Sequence, residues 1–146
     1  MKKITGLILI MILVFSLTAC DTSDKKESKS GPTTKIYYIT EGDKAGIVNS
    51  NLASSDEMVK SFDVQGDKDI VLPGEIDSFT LFAIDGGAFN EPNELRSVYI
   101  PDSVKIIEPG AFSGCDKGLV IYGSEKSSAS EFAEENGFEF EVKTND

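Results

Sequence analysis

The stretch LRSVYIPDSVKIIEPGAFSGC, Leu95 to Cys115, decides the fold. It opens with an alternation in which Val98 and Ile100 are apolar and Tyr99 lies between them. Successive strand side chains point to opposite faces, so Val98 and Ile100 are expected in the core and Tyr99 outward. Pro101 has no N–H to donate and is expected to end the ladder and turn the chain. Val104 and Ile107 return a segment to the same core. Gly110, Ala111 and Phe112 then make a corner in which glycine permits a backbone conformation that a Cβ resists.

A looser copy precedes this unit. Ile70, Leu72 and Pro73 match Val98, Ile100 and Pro101 at a spacing of 28, whereas Leu81, Ile84, Gly87, Ala88 and Phe89 match Val104, Ile107, Gly110, Ala111 and Phe112 at a spacing of 23. The first copy therefore carries five extra residues between Pro73 and Leu81. A period in the twenties is that of a leucine-rich repeat. Repeats bury a continuous core only when about three of them stack, so with two full copies the flanking segments must act as caps.

Both flanks have the chemistry for that. Ile36 to Ile39 and Ala45 to Val48 are short apolar runs on either side of Thr40-Glu41-Gly42-Asp43, which reads as a hairpin. A short helix is expected over residues 56–60, and Phe62 and Val64 start another strand before Gly66. On the far side, Gly118 to Gly123 is a last repeat strand. Ser128-Ala129-Ser130-Glu131 fits a capping box for a helix presenting Ala129, Phe132 and Ala133, with Gly137 as its stop. Phe138, Phe140 and Val142 alternate with charged residues and form a half-buried closing strand. The fold expected is a β-rich α+β domain over residues 35–146: a two-repeat solenoid with an N-terminal β cap and a C-terminal strand–helix–strand cap.

The pattern L-x-x-V-x-I-P-x-S-V-x-x-I-x-x-G-A-F-x-x-C, read from Leu95 to Cys115, resembles the BspA-like leucine-rich repeat of bacterial surface proteins. The segment IVLPGEIDSFTLFAIDGGAF, Ile70 to Phe89, is similar to the usual first repeat of that family, and Phe132 stands where its C-terminal tail commonly has Tyr. Glu108-Pro109 departs from the family, which usually has Gly after the Ile. The resemblance implies a short solenoid. For some members it implies adhesion to host or matrix proteins or to other bacteria.

The N-terminus adds an address. Lys2 and Lys3 precede an apolar run from Leu7 to Phe15, too short for the ~20 residues of a spanning helix, and small residues follow. Residues 1–19 read as a signal peptide, and Leu17-Thr18-Ala19-Cys20 resembles the lipobox of bacterial lipoproteins. That resemblance implies a diacylglycerol and a fatty acyl chain on Cys20, the only cofactor-like group expected. It also implies a membrane location facing the cell exterior, or the periplasm in a Gram-negative cell. One acyl chain anchors only marginally, which is why such anchors carry more than one. Residues 20–34 form the lipidated cysteine and a tether without an aliphatic or aromatic side chain after Cys20, spanning ~20 Å on average. With Cys20 acylated, Cys115 is a thiol behaving as a small buried hydrophobe, or it bridges to another molecule.

Composition narrows the function. The chain has no His and no Trp, which excludes Ser/His/Asp and Cys/His nucleophile systems and removes the usual zinc ligand. Its net charge is −11, and loss of Lys2 and Lys3 takes it to about −13, a surface that repels nucleic acid. None of its 25 acidic residues falls in an EF-hand pattern. A carboxylate-based hydrolase would need two carboxyls held ~5–9.5 Å apart in a cleft, and no spacing singles out such a pair. The expectation is a non-enzymatic interaction module. Outward positions Val71, Tyr99 and Val120, with Phe82 and Tyr122 nearby, form its candidate binding face for a protein or glycan. An envelope accessory lipoprotein acting in a complex is the alternative.

Overall fold

The computed structural model describes residues 32–54, 58–90 and 94–144. The expected signal peptide, Cys20 and the expected tether through residue 31 lie outside the described residues, as do residues 56 and 57 of the helix expected over 56–60; its remainder, Met58 to Lys60, is not helical. The chain forms ten strands, one short 3₁₀ turn (Ser50–Ser54) and one α-helix among the described residues. It is β-rich, with one mixed sheet and one parallel sheet.

The N-terminal segment is a three-stranded antiparallel unit made of β1 (Thr33–Glu41), β2 (Lys44–Val48) and β3 (Lys60–Gln65). Gly42 sits at the tip with φ +62, the positive value that the first residue of a two-residue II′ hairpin turn requires. β1 starts at Thr33, two residues earlier than the expected edge of the tether. Thr33 and Thr34 pair with Gln65 and Val64 of β3, and the Thr34 hydroxyl donates to the Gly66 carbonyl at 2.7 Å. Lys60, placed by its sequence context in a helix, already belongs to β3.

The two copies follow. β4 (Asp69–Val71) pairs in parallel with β7 (Ser97–Tyr99), and Ile70 lies opposite Val98 at the spacing of 28. β6 (Phe79–Ile84) pairs in parallel with β8 (Ile106–Ile107), and Ile84 lies opposite Ile107 at the spacing of 23. The five extra residues of the first copy are folded out as a hairpin of β5 (Glu75–Ile76) with β6, through Asp77 and Ser78, both at positive φ. The corners stack as well. Gly87 N–H donates to Gly110 O at 2.9 Å and Phe89 N–H to Ala111 O at 2.8 Å. Gly87 and Gly110 have φ of +76 and +83, where a Cβ is resisted.

β9 (Val120–Gly123) continues the parallel sheet beside β7, and β10 (Glu139–Val142) closes it, giving the order β10-β9-β7-β4. The mixed sheet has the order β3-β1-β2-β6-β5 with β8 also on β6. One continuous core lies among the two sheets, the corners and the helix α1 (Ser128–Asn136); Leu81, Ile84, Val98, Ile100, Phe112 and Ile121 are its most enclosed members. Phe89 and Phe112 stack with centroids 4.8 Å apart and planes 3° from parallel, and Phe132 and Phe138 extend the column from the cap. The helix and its cap both start one residue earlier than expected. Ser127 is the N-cap, its hydroxyl accepting from Ser130 N–H, while Ser128 instead donates to the Val104 carbonyl at 2.6 Å and ties the cap to the second copy. Gly137 stops the helix in the left-handed region, where glycine carries no Cβ penalty.

Candidate functional site

The outer face of the parallel sheet follows from its register. Alternate residues of each strand point away from the core, so two rows run across the four strands. One row is Asp69, Ser97, Val120 and Glu139; the other is Val71, Tyr99, Tyr122 and Glu141. Val120 shares this face with Tyr99 but lies beside Ser97, two residues away. The spacing of 23 that relates the second copy to the cap leads from Tyr99 to Tyr122 and carried this information in the sequence.

Exposure separates the members of the row. Val71 is 48 % exposed and Tyr122 half-buried, whereas Tyr99, expected to face solvent, is only 7 % exposed. Its side chain stands on the central strand, flanked at ladder spacing of ~4.8 Å by Val71 and Tyr122. Neighbours on both sides cover a ring there, even on the solvent face of a sheet. Tyr99 is thus covered, and Val71 and Tyr122 are the members of the row that reach solvent.

The rim of this face is charged. Asp69 accepts from Ser97 Oγ at 2.8 Å and from Arg96 Nη2 at 2.5 Å, and these two contacts hold its carboxyl below the usual range. Lys68 and Glu94 form a second exposed ion pair beside it. At the opposite edge Glu139 and Glu141 project from β10, and Lys143 lies 5.4 Å from the Tyr122 ring centroid. Partial burial, the hydrogen bond with Glu141 and the nearby carboxylates of Asp69 and Glu139 push the Tyr122 phenol above its ordinary pKa. The face is an apolar and aromatic centre bordered by acids.

Phe82 is not part of it. The hairpin after Pro73 carries the chain to the other sheet, and Phe82 lies on the outer side of β6, with the Lys44 ammonium 4.0 Å from its ring centroid. Sequence proximity to the row misleads here because each copy contributes strands to both sheets.

Cys115 follows the second corner. Its thiol lies 3.6 Å from the Phe89 carbonyl, to which it donates, and burial pushes its pKa up to about 11. A thiol held protonated is a poor nucleophile. Asp85 and Glu108 occupy equivalent positions in the two copies, and their carboxyls influence one another. Burial and then the charge of Glu108 raise Asp85, while Glu108 Oε2 accepts from Gly86 N–H at 3.0 Å. Glu108 thus bonds the backbone of the preceding copy. Among the described residues no three acidic, His or Cys side chains gather as a metal would require, and no helix is long and apolar enough to cross a membrane.

Comparison with family models, with curated proteins and with solved structures returned no match for this chain.

Proposed function

We propose that this chain is a lipid-anchored surface interaction module built as a short leucine-rich-repeat solenoid of the BspA-like kind. Two full repeats sit between an antiparallel N-terminal cap and a C-terminal strand–helix–strand cap. Cys20 carries the lipid, the tether holds the domain off the membrane, and the outer face of β4, β7 and β9 meets a protein or glycan partner. The observation that carries the reading is the in-register parallel pairing of the two copies at their own sequence spacings, which aligns Val71, Tyr99 and Tyr122 in one row. Catalysis has no part in this reading.

Two measurements test it. Cys20→Ala should move the protein from the membrane fraction to the soluble fraction of its native host; unchanged retention would sink the anchor. A pull-down from surface extract and host matrix with the full chain should lose its partner when Val71→Glu is introduced and keep it when Glu134 on the helix is replaced by Gln. Equal recovery by all three proteins would remove the face from consideration.

A further inference from the structure

The residue that the repeat face leaves out, Phe82, sits at a second built surface. β2 and β6 pair in parallel with a shift in register: Ala45 lies opposite Leu81, but the next residue, Gly46, lies opposite Ala83. Phe82 is therefore the extra residue of a β-bulge, a device that re-aims a side chain. Leu81 and Ile84 stay fully buried while Phe82 turns outward. Beside it Gly46 has no side chain and Ala83 a small one, and a hollow of about 500 Å³ opens between the hairpin tip and β8. Ile39 and Ile106, 37 % and 48 % exposed, line the same hollow. Two exposed isoleucines converging on an outward phenyl ring form a contiguous apolar floor.

Its charges select the occupant. Glu41, Asp43 and Asp85 line the hollow against the single cation Lys44, whose ammonium already lies over the Phe82 ring at 4.0 Å. Aromatic faces attract cations through the ring quadrupole, and the Lys44 contact shows that this face of the ring is accessible to an ammonium. Asp85 is raised by burial first and then by the charge of Glu108, and a visiting cation would oppose that shift by favouring its charged form. A second copy of this chain is a poor match, because its net charge of −11 repels itself.

We infer that this groove docks a basic, aliphatic-flanked segment of a partner protein, with a Lys or Arg entering over Phe82 among Glu41, Asp43 and Asp85 and an aliphatic side chain against Ile39 and Ile106. The partner's cation displaces Lys44 or shares the carboxylates with it. The groove is on the mixed sheet, so this docking is independent of the parallel-sheet face.

The test uses the full chain and three synthetic peptides: alternating Lys and Leu, alternating Glu and Leu, and alternating Lys and Gly. The Lys–Leu peptide should bind, shift the NMR signals of Ile39, Phe82 and Ile106, and lose affinity as salt rises. Phe82→Ala should weaken it about tenfold, the loss expected of a desolvated cation–aromatic contact. Ile106→Asn, at an exposed position that does not threaten folding, should weaken it as well, and the Glu41→Gln, Asp43→Asn double variant should flatten the salt dependence. Equal binding of the Glu–Leu peptide would reduce the groove to a generic apolar patch, and equal binding of the Lys–Gly peptide to a diffuse negative surface. Either result overturns the proposal. So does unaltered affinity in both Phe82→Ala and Ile106→Asn, a set of shifted signals confined to β4, β7 and β9, or a dimer that forms with rising concentration and blocks the peptide.

Discussion

The two copies, Ile70–Phe89 and Val98–Phe112, share strand and corner and differ in what joins them. In the second copy the link after Pro101 is short, and Val104 N–H bonds straight back to the Pro101 carbonyl at 3.0 Å. In the first, five more residues must be housed while Leu81 and Ile84 still reach the core. They are expelled as the β5–β6 hairpin, with one side chain, Ile76, returned to the interior. Buried positions therefore set the register, and the insertion yields. The yielded hairpin becomes a joint, since Asp77 at its tip accepts from the hydroxyl of the fully buried Tyr38 at 2.6 Å and so links the first copy to the N-terminal cap. The second copy is held from the other side, by helix α1.

The largest contrast between the copies should appear at the corners. Phe112 meets three rings, Phe89, Phe132 and Phe138, whereas Phe89 meets Phe112 alone among them. Phe112→Ala should cost ~3–5 kcal/mol in denaturant unfolding, and Phe89→Ala less. Equal losses would show that the column does not run on into the cap. A smaller contrast separates two glycines of the second corner. A Cβ at Gly110 meets open space and only its φ of +83 resists it, so Gly110→Ala should cost about 1–2 kcal/mol. At Gly114 a Cβ would run into the backbone of Asn90, which cannot swing aside, so Gly114→Ala should cost more than Gly110→Ala. The reverse order of thermal midpoints would mean that the corners do not stack as closely as described.

The joint of the first copy is tested by Tyr38→Phe, which should cost about 1 kcal/mol near neutral pH. It also has a pH signature. Burial first, then the hydrogen bond and charge of Asp77, push the Tyr38 phenol up to about 12. Between the ordinary tyrosine value of about 10 and that value the folded chain keeps a proton that the unfolded chain releases, so stability falls as pH rises through this window. Cys115, raised to about 11 by burial, adds an alkaline loss of the same sign. Tyr38→Phe should remove its own share of the decline and leave the thiol's; an unchanged alkaline profile would break the joint. The smallest effect on stability belongs to the outer row, where Val71→Glu at an exposed position should shift unfolding by no more than about 0.5 kcal/mol. A large loss there would mean that the row serves packing in both copies.

Much of this was legible because apolar spacing is a direct image of burial. The pairs Ile70 with Val98 and Ile84 with Ile107 were readable as numbers before they were strand partners, and Gly110 announced its positive φ. Where reading failed, the cause was a tertiary neighbour. Tyr99 has the alternation of an outward residue and is covered because it stands between Val71 and Tyr122. Ser128 fits a helix cap, yet the Val104 carbonyl claims its hydroxyl and Ser127 caps instead. Phe82 lies eleven residues from Val71 in the chain and on a different sheet in space, since a hairpin intervenes.

By itself the sequence determined the strands of the flanks, the first strand of each copy and the repeat spacing, because alternation, proline and glycine act through local backbone geometry and the burial of one face. Only the tertiary structure decided which outward residue is open to solvent. Solvent access to a side chain depends on what stands beside it across the ladder, and that is a property of neighbouring strands rather than of the strand that carries it.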